Sequence, residues 1–252
     1  MELDISGAKI LFTLPFDLPI LGPLRISETM VVSWIVMILI TGLCIWLTHD
    51  LREENISKRQ AMAEMLVEMA NKFVVGNMGE QFRYMIPFVA ALFSTSVVSN
   101  LISLVGLRSP TADLSTEAAW AVVVFIMITA QKIKSGGFGG YLKGFTQPIP
   151  VMTPFNILSE LATPVSMACR HFGNILSGVV INGLIYGALA VASSALLGLI
   201  PGLVGIVLAQ IPILVVGIPA IMSVYFDWFS GVMQAFIFSM LTVMYIANAA
   251  EG

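Results

Sequence analysis

Charged residues are scarce in this chain, and their scarcity excludes an ordinary soluble domain. Only 11% of its 252 residues are Asp, Glu, Lys or Arg, whereas 58% are hydrophobic. Soluble domains carry about 25% charged residues. The chain has no basic cluster with interleaved aromatic residues, so nothing supports binding to nucleic acid. The composition instead predicts a polytopic membrane protein, in which about 20 apolar residues make one span.

Cysteine and histidine are also rare, which removes two common kinds of site from consideration. Cys44 and Cys169 stand alone in apolar surroundings and form neither a disulfide framework nor a zinc motif. His49 and His171 are too few for a metal centre without a carboxylate cluster nearby. We therefore expect no metal and no cofactor.

Long apolar runs predict an all-α fold with about five membrane helices in one integral membrane domain, 1–252. After an amphipathic lead, the predicted segments are a first span at 29–47, an amphipathic surface helix at 57–75 capped by Ser57, a helical hairpin at 84–133 and a long helix pair at 156–249. Each helix of the final pair is near forty residues, which indicates strong tilt. We expect a loop at 135–140 and a helix break at 201–202.

Lysine and arginine in short loops predict the orientation of the chain. The 49–83 segment has five of them and the 132–143 loop has three, whereas the opposite side has only Lys9, Arg25 and Arg108. This asymmetry places both loops and the C-terminus in the cytoplasm and the N-terminus outside.

Arg170 is the most informative residue, because a permanent cation beside a bilayer-length apolar segment is costly to keep there. Arginine cannot relieve that cost by losing its proton. From Ile175 to Ala250 the only formal charge is Asp227. We interpret Arg170 as a residue kept for ion or substrate handling, with an arginine that snorkels to a lipid headgroup as the alternative.

Polar side chains share helical faces with these two charges. Ser166, Asn174 and Ser177 lie within about 40° of Arg170 on its helix. On the last helix, a second polar face carries Asp227, Gln234 and Tyr245. Two polar stripes on apolar helices indicate water-accessible paths.

Several candidates also have simpler explanations. Asn174 and Gln234 are typical of hydrogen bonds between membrane helices. Glu160, near a helix start, is compatible with dipole stabilisation alone. His171 is most simply interpreted as a packed residue. Asp113 is most simply part of a turn, and Glu117 most simply belongs to a helix N-terminus.

Four segments together resemble one family, subunit a of the membrane sector of F-type ATP synthases. Arg170-His-Phe-Gly-Asn174 is similar to the arginine motif of that family, and 156–166 resembles the segment before it. Residues 99–105 and 109–114 match the hairpin region. Gln234-Ala-Phe-Ile-Phe238, followed by 241–247, resembles the C-terminal helix. The resemblance covers roughly 30–250.

The resemblance implies a stator in the bacterial inner membrane that holds two half-channels against a ring of c subunits and contacts the peripheral-stalk b subunit and the rest of the synthase. Arg170 would face the c-ring carboxylate, and this chain would have no ATPase site. The implied ion is a proton, with sodium as the alternative. The implied site residues are, for the outer path, Asn174, Asp227, Gln234, Ser177 and Tyr245; for the cytoplasmic path, Glu160 and Ser166; and as further candidates, Asn100, Asp113, Glu117 and His171.

Three positions depart from the family pattern. Many members have a glutamate where this chain has Val179, and many have a histidine where it has Asp227. His171 stands where an apolar residue is commoner. These differences leave the outer relay and the identity of the ion open.

Two other functions, a secondary transporter and an intramembrane hydrolase, fit the sequence less well. A secondary transporter that binds an anion at Arg170 would often show an internal repeat, which the sequence lacks. An intramembrane hydrolase would need Ser177 and His171 to meet. Their six-residue separation puts them about 120° apart on one helix, so they cannot.

Overall fold

A computed structural model describes residues 8–18, 22–198 and 224–251 of the chain. Its six α-helices are α1 (Glu28–Thr48), α2 (Lys58–Met78), α3 (Ile86–Leu101), α4 (Leu114–Gly144), α5 (Thr153–Gly198) and α6 (Gly231–Glu251). Short 3-10 turns lie at Glu80–Met85, Ile102–Val105, Pro110–Ala112 and Pro150–Met152, and a π-helical turn, Val224–Ser230, leads into α6. The predicted break at 201–202 lies outside the described residues.

The predicted all-α membrane fold is confirmed. Within the described ranges, five helical segments are long and apolar enough to cross a membrane: Glu28–Thr48, Glu80–Val105, Leu114–Gly144, Pro150–Gly198 and Trp228–Ala250. The α2 helix is not among them, because its apolar residues alternate with charged ones. Its N-cap is Ser57, as predicted, since the Ser57 hydroxyl accepts a hydrogen bond from Gln60 N.

A short β-hairpin precedes the helices, where only an amphipathic lead was predicted. Strand β1 (Ile10–Leu18) pairs antiparallel with β2 (Gly22–Ser27), and one of its register irregularities lies between Thr13 and Asp17, where Pro15 stands. Proline has no N–H to donate to a ladder and is confined to such edges and bulges. The hairpin ends where Ser27 caps α1 by accepting from Met30 N.

The C-terminal half of α4 differs from the prediction of a loop at 135–140. Those residues lie inside α4, which contains one non-helical position, Gly137, with φ at 71°. Glycine adopts positive φ without the steric cost that a β-carbon would impose. The glycine-rich stretch therefore bends the helix at one point instead of ending it, and Ser135 donates a hydrogen bond to Ala249 O of α6 at 3.0 Å.

The α6 helix lies at the centre of the bundle. Its residues Phe238, Val243 and Ile246 are fully buried and join one hydrophobic cluster with side chains of α2, α3 and α4. Among the described elements, the α5 helix packs mainly on α4 and α6, along one side. Its other side leaves large apolar side chains exposed in the isolated chain, among them Val165, Ile181, Leu184 and Val191. The arrangement turns one face of α5 away from the other helices that the structure describes.

Candidate functional site

Arg170 lies on the outward face of α5. It is exposed, and so are Ser166 and Ser177, one and two turns away on the same face. The next residue, His171, is completely buried. Consecutive helical residues point about 100° apart, so the boundary between the buried and outward sides of α5 passes between these two residues. The predicted polar face is therefore presented at the surface of this chain.

Asn174 connects that face to the start of α6. Its Nδ2 donates to Ser230 Oγ at 2.9 Å, in the π-helical turn. The backbone of Asp227 belongs to the same turn, but its side chain is not among those the structure describes. Gln234 follows in α6 and is 5% exposed. Three of the predicted outer-path residues therefore belong to one region of the fold.

Asn100 is the centre of a buried polar network beside this region. Its Nδ2 donates to Gly231 O at 2.8 Å, and its Oδ1 accepts from the Thr111 hydroxyl. The Ser109 hydroxyl donates to Ser99 O at 2.6 Å and lies 2.6 Å from Thr111 Oγ1. The network fixes the turn after α3 to the beginning of α6. This contact makes Asn100 a neighbour of the Asn174–Ser230 pair.

Asp113 caps α4, which agrees with the simpler of its two interpretations. Its Oδ1 accepts from Ser115 N at 3.0 Å and from the Ser115 hydroxyl at 2.6 Å, while its Oδ2 accepts from the Thr29 hydroxyl at 2.9 Å. Burial alone would raise the pKa of Asp113, but the bonds from Ser115 and Thr29, with the charge of Arg108, hold that pKa below its ordinary value. The carboxylate therefore ties α1 to the N-terminus of α4.

Glu160 forms an ion pair with Lys132 of α4. Lys132 Nζ lies 2.8 Å from Oε1 and 2.6 Å from Oε2 of Glu160, and the glutamate side chain is 17% exposed. The pair borders an open cavity of about 190 Å³. The other lining residues are Phe125, Ile128, Thr163, Tyr245, Asn248 and Ala249.

The position of Tyr245 differs from its predicted grouping with the outer-path residues. It lies in the wall of the Glu160 cavity, near the cytoplasmic end by the predicted orientation. Helical spacing placed Tyr245 on the same face as Gln234. Helical spacing does not show depth along the helix. The face of α6 that begins with Gln234 beside the outer-path residues extends far enough to bring Tyr245 to the Glu160 cavity.

Glu117 and His171 meet across α4 and α5. Glu117 Oε2 lies 2.8 Å from His171 Nδ1, and both side chains are 0% exposed. The contact has the distance of an ion pair without the alignment of a hydrogen bond. The rings of Trp120 and Phe238 lie 6.4 and 5.6 Å from the imidazole ring, centroid to centroid. His171 is thus packed, as the simpler interpretation held, but Glu117 does more than begin a helix.

The sequence did not lead to Lys132 or Thr111 as parts of this region, and it indicated Ser230 only as a serine near the polar face of the last helix. Lys132 was counted only as a loop charge. The pairing of Lys132 was predictable, because a cation at the edge of an apolar run usually pairs with a carboxylate, and Glu160 is the acid on the next helix. Ser230 and Thr111 carry no such signal, since serine and threonine are common in membrane helices. Within the described ranges, no three metal-ligating side chains come together.

Comparison with known proteins gives one consistent result. Residues 30–247 match the sequence model of the family described as ATP synthase A chain. The chain is 34% identical to ATP synthase subunit a 1 of Prosthecochloris aestuarii over 92% of this chain and 93% of that protein. It is 33% identical to ATP synthase subunit a of Moorella thermoacetica, covering 94% and 97%. It is 28% identical to the sodium ion specific ATP synthase subunit a of Propionigenium modestum, covering 97% and 86%.

Proposed function

The chain belongs to the ATP synthase subunit a family, the ion-translocating stator subunits of the F-type membrane sector, and from this premise we propose that Arg170 separates its two half-channels. In this proposal Arg170 faces the membrane-embedded carboxylate of each passing c subunit. The exposed position of Arg170 on the outward polar face of α5 is the observation that supports the proposal most directly.

A fixed cation at this position has two effects on ion transfer. It favours the ionised form of a nearby carboxylate, so each c subunit releases its ion as it passes Arg170. It also repels a free cation and blocks direct leakage between the two paths. The attraction between the charges is strong at low dielectric, so water on either side must compete with it. Each elementary charge that crosses gains about 2.3 kcal/mol per 100 mV.

The outer path in this proposal contains Asn174, Ser177, Asp227 and Gln234, with Asn100 in support. Asn174 bonds to Ser230 and Asn100 bonds to Gly231, so both residues converge on the start of α6. Asp227 lies three residues before Ser230, and it would supply the titrating carboxylate of this path.

The cytoplasmic path in this proposal contains Glu160 and Ser166. We add Tyr245, because it shares the Glu160 cavity. Glu160 precedes Arg170 by ten residues, which is about 15 Å along a helix. A cavity at Glu160 can therefore admit water from one side and still end short of the outer cluster.

The remaining parts of the proposal rest on the family and on the charge asymmetry of the loops. The chain works in a bacterial plasma membrane, with its N-terminus outside and its C-terminus in the cytoplasm. Its partners are the c-ring, the b subunit and the rest of the synthase. It has no ATP-hydrolysing site of its own. The ion is a proton, and sodium is kept as the alternative. None of the relatives reported above supports a secondary transporter.

Replacement of Arg170 tests the proposal in the whole synthase. Arg170→Ala should abolish ATP synthesis driven by an ion gradient, while the complex still assembles. Arg170→Lys should fail largely as well, because an ammonium can lose its proton when it is desolvated. The matched control is Arg59→Ala, which removes an exposed cation from α2 that lies over the Trp46 ring. Synthesis at the normal rate by assembled Arg170→Ala complexes would exclude the mechanism.

A further inference from the structure

The Glu117–His171 pair has no part in either half-channel as proposed above. It joins α4 to α5 at the one residue that directly follows Arg170 in the chain. Both side chains are 0% exposed, which is deeper than the 17% of Glu160 in the Lys132 pair. A fully buried ionisable pair in a membrane protein needs a reason, because such groups are costly in an apolar bundle.

Stability alone does not supply that reason. Replacing a buried ion pair with apolar residues of similar volume is often neutral or stabilising. The pair here is also incompletely satisfied, since Glu117 Oε1 and His171 Nε2 have no hydrogen-bond partner in the described part of the chain. Trp120 and Phe238 close the site with aromatic rings. What a polar pair adds to such packing is direction, because the His171 imidazole is drawn to one carboxyl on α4, whereas apolar contacts are satisfied by many arrangements.

Direction matters at this position because Arg170 and His171 are consecutive. Fixing the His171 side chain toward α4 fixes the Arg170 side chain about 100° away. A guanidinium about 8 Å from the helix axis moves about 4 Å when the helix turns by about 30°. A displacement of 1 Å can lower the rate of a reaction by about 100-fold where geometry is critical. A small rotation of α5 would therefore move the Arg170 guanidinium away from the position at which it faces the c-ring carboxylate.

The same two helices are also joined by an ion pair, Lys132–Glu160. His171 lies eleven residues beyond Glu160, which is about 16 Å along α5. Two contacts at separate depths restrict both the sliding and the rotation of α5 on α4. Only the Glu117–His171 contact is adjacent to Arg170.

We infer that Glu117 and His171 form a buried polar latch between α4 and α5 that holds Arg170 toward the c-ring. They are positioning residues, which act through Arg170 and do not touch the transported ion. The inference rests on the proposed function of Arg170. It predicts that a carboxyl and an imidazole must face each other at positions 117 and 171, whereas it does not matter which helix carries which group.

The test uses the whole synthase in inverted membrane vesicles, where ATP-driven ion uptake is compared with the amount of assembled complex. Glu117→Gln and His171→Gln each leave one buried partner alone, and each should lower uptake per complex by at least about tenfold. Glu117→Leu with His171→Leu should assemble normally and yet stay about tenfold low, because packing remains and direction is lost. The exchanged pair, Glu117→His with His171→Glu, should recover uptake to within about threefold of normal. Glu68→Gln, which breaks the exposed pair with Lys72, is the matched control and should have no effect.

Two outcomes overturn the latch. Normal uptake by the double leucine variant would show that the pair only fills space. An exchanged pair that assembles but pumps no better than the single variants would show that one particular residue matters and the pair does not. If the single variants fail to assemble, uptake by the double leucine variant and by the exchanged variant is sufficient to test the latch. All of these variants keep Arg170, whereas the proposed function is tested by Arg170→Ala with the pair intact, so the two failures are distinguishable.

Discussion

Gly231 and Asn100 lie in such close contact that residue 231 has no room for a side chain. A β-carbon at position 231 would lie 2.9 Å from Asn100 Cβ, closer than such atoms approach in proteins. The contact lets Asn100 Nδ2 reach Gly231 O at 2.8 Å. Glycine at the first residue of α6 is therefore required by packing, although its backbone is helical.

Gly231→Ala should accordingly destabilise the junction of α3 and α6. Overpacking of this kind costs about 1–3 kcal/mol, and displacement of Asn100 would also disturb its bond to Thr111. We expect a lower thermal denaturation midpoint for the purified protein in detergent and slower passive ion flow in membranes. Gly42→Ala in α1 is the matched control, because a β-carbon there meets nothing within 4 Å. Equal midpoints for the two variants would mean that Asn100 moves aside without cost.

The depressed pKa of Asp113 predicts a pH-dependent contribution to stability. Its folded pKa lies below the unfolded value, so the carboxylate stabilises the fold above the unfolded pKa of about 3.9. The contribution is lost as the pH falls through the lower folded pKa. Asp113→Ala should lower the free energy of unfolding by about 1 kcal/mol at neutral pH through loss of the N-cap. Asp113→Asn should keep most of the cap.

Thermal denaturation of both variants between neutral and acidic pH would measure these contributions. The difference between the original protein and Asp113→Asn should shrink as the pH falls below about 4, because both then carry an uncharged side chain. A difference that grows toward acidic pH would have the wrong sign and would contradict the assignment of hydrogen bonds to the charged carboxylate.

The sequence predicted the features of this fold that depend on local pattern. Run lengths located the membrane helices, and cap chemistry located Ser57 and the turn at Asp113. The β-hairpin was missed although Phe12, Leu14, Phe16 and Leu18 alternate with other residues. Pro15 lies within that run, and a proline argues against a strand. The α4 bend was missed because glycine is as typical of a loop as of a bent helix.

Contacts between helices were beyond what the sequence could predict. Helical spacing placed Arg170, Asn174 and Ser166 on one face, and the structure keeps them there. It could not tell which helix faces His171, because that depends on the rotation of α4 and α5 about their axes. Glu117 is separated from His171 by 54 positions in the numbered chain, and neither residue has a partner within its own helix. The buried pair is therefore a tertiary feature.

The two-path arrangement predicts opposite sides of access for two positions. In a chain with Cys44→Ser and Cys169→Ser, which removes both exposed native thiols, Glu160→Cys should react with a membrane-impermeant thiol reagent from the cytoplasmic side. The cavity that Glu160 lines is open enough to admit water. Asp227→Cys should react from the outside. Ser135→Cys, exposed at the bend of α4, should react from the cytoplasmic side by the predicted orientation. Reaction of positions 160 and 227 from the same side would contradict the arrangement.

Asp227 should be the main titrating group of the outer path. It is the only acid between Glu160 and Glu251, and its backbone lies in the turn whose Ser230 bonds Asn174. An ionisable group at this depth usually lines a cavity or a relay. Asp227→Asn keeps the shape but removes the exchangeable charge, so it should slow passive ion flow through the membrane sector and change the pH dependence of that flow. Glu251→Gln, at the other end of α6, should do neither. If the two variants conduct equally and normally, Asp227 is a structural residue, and the outer path must obtain its titrating group elsewhere.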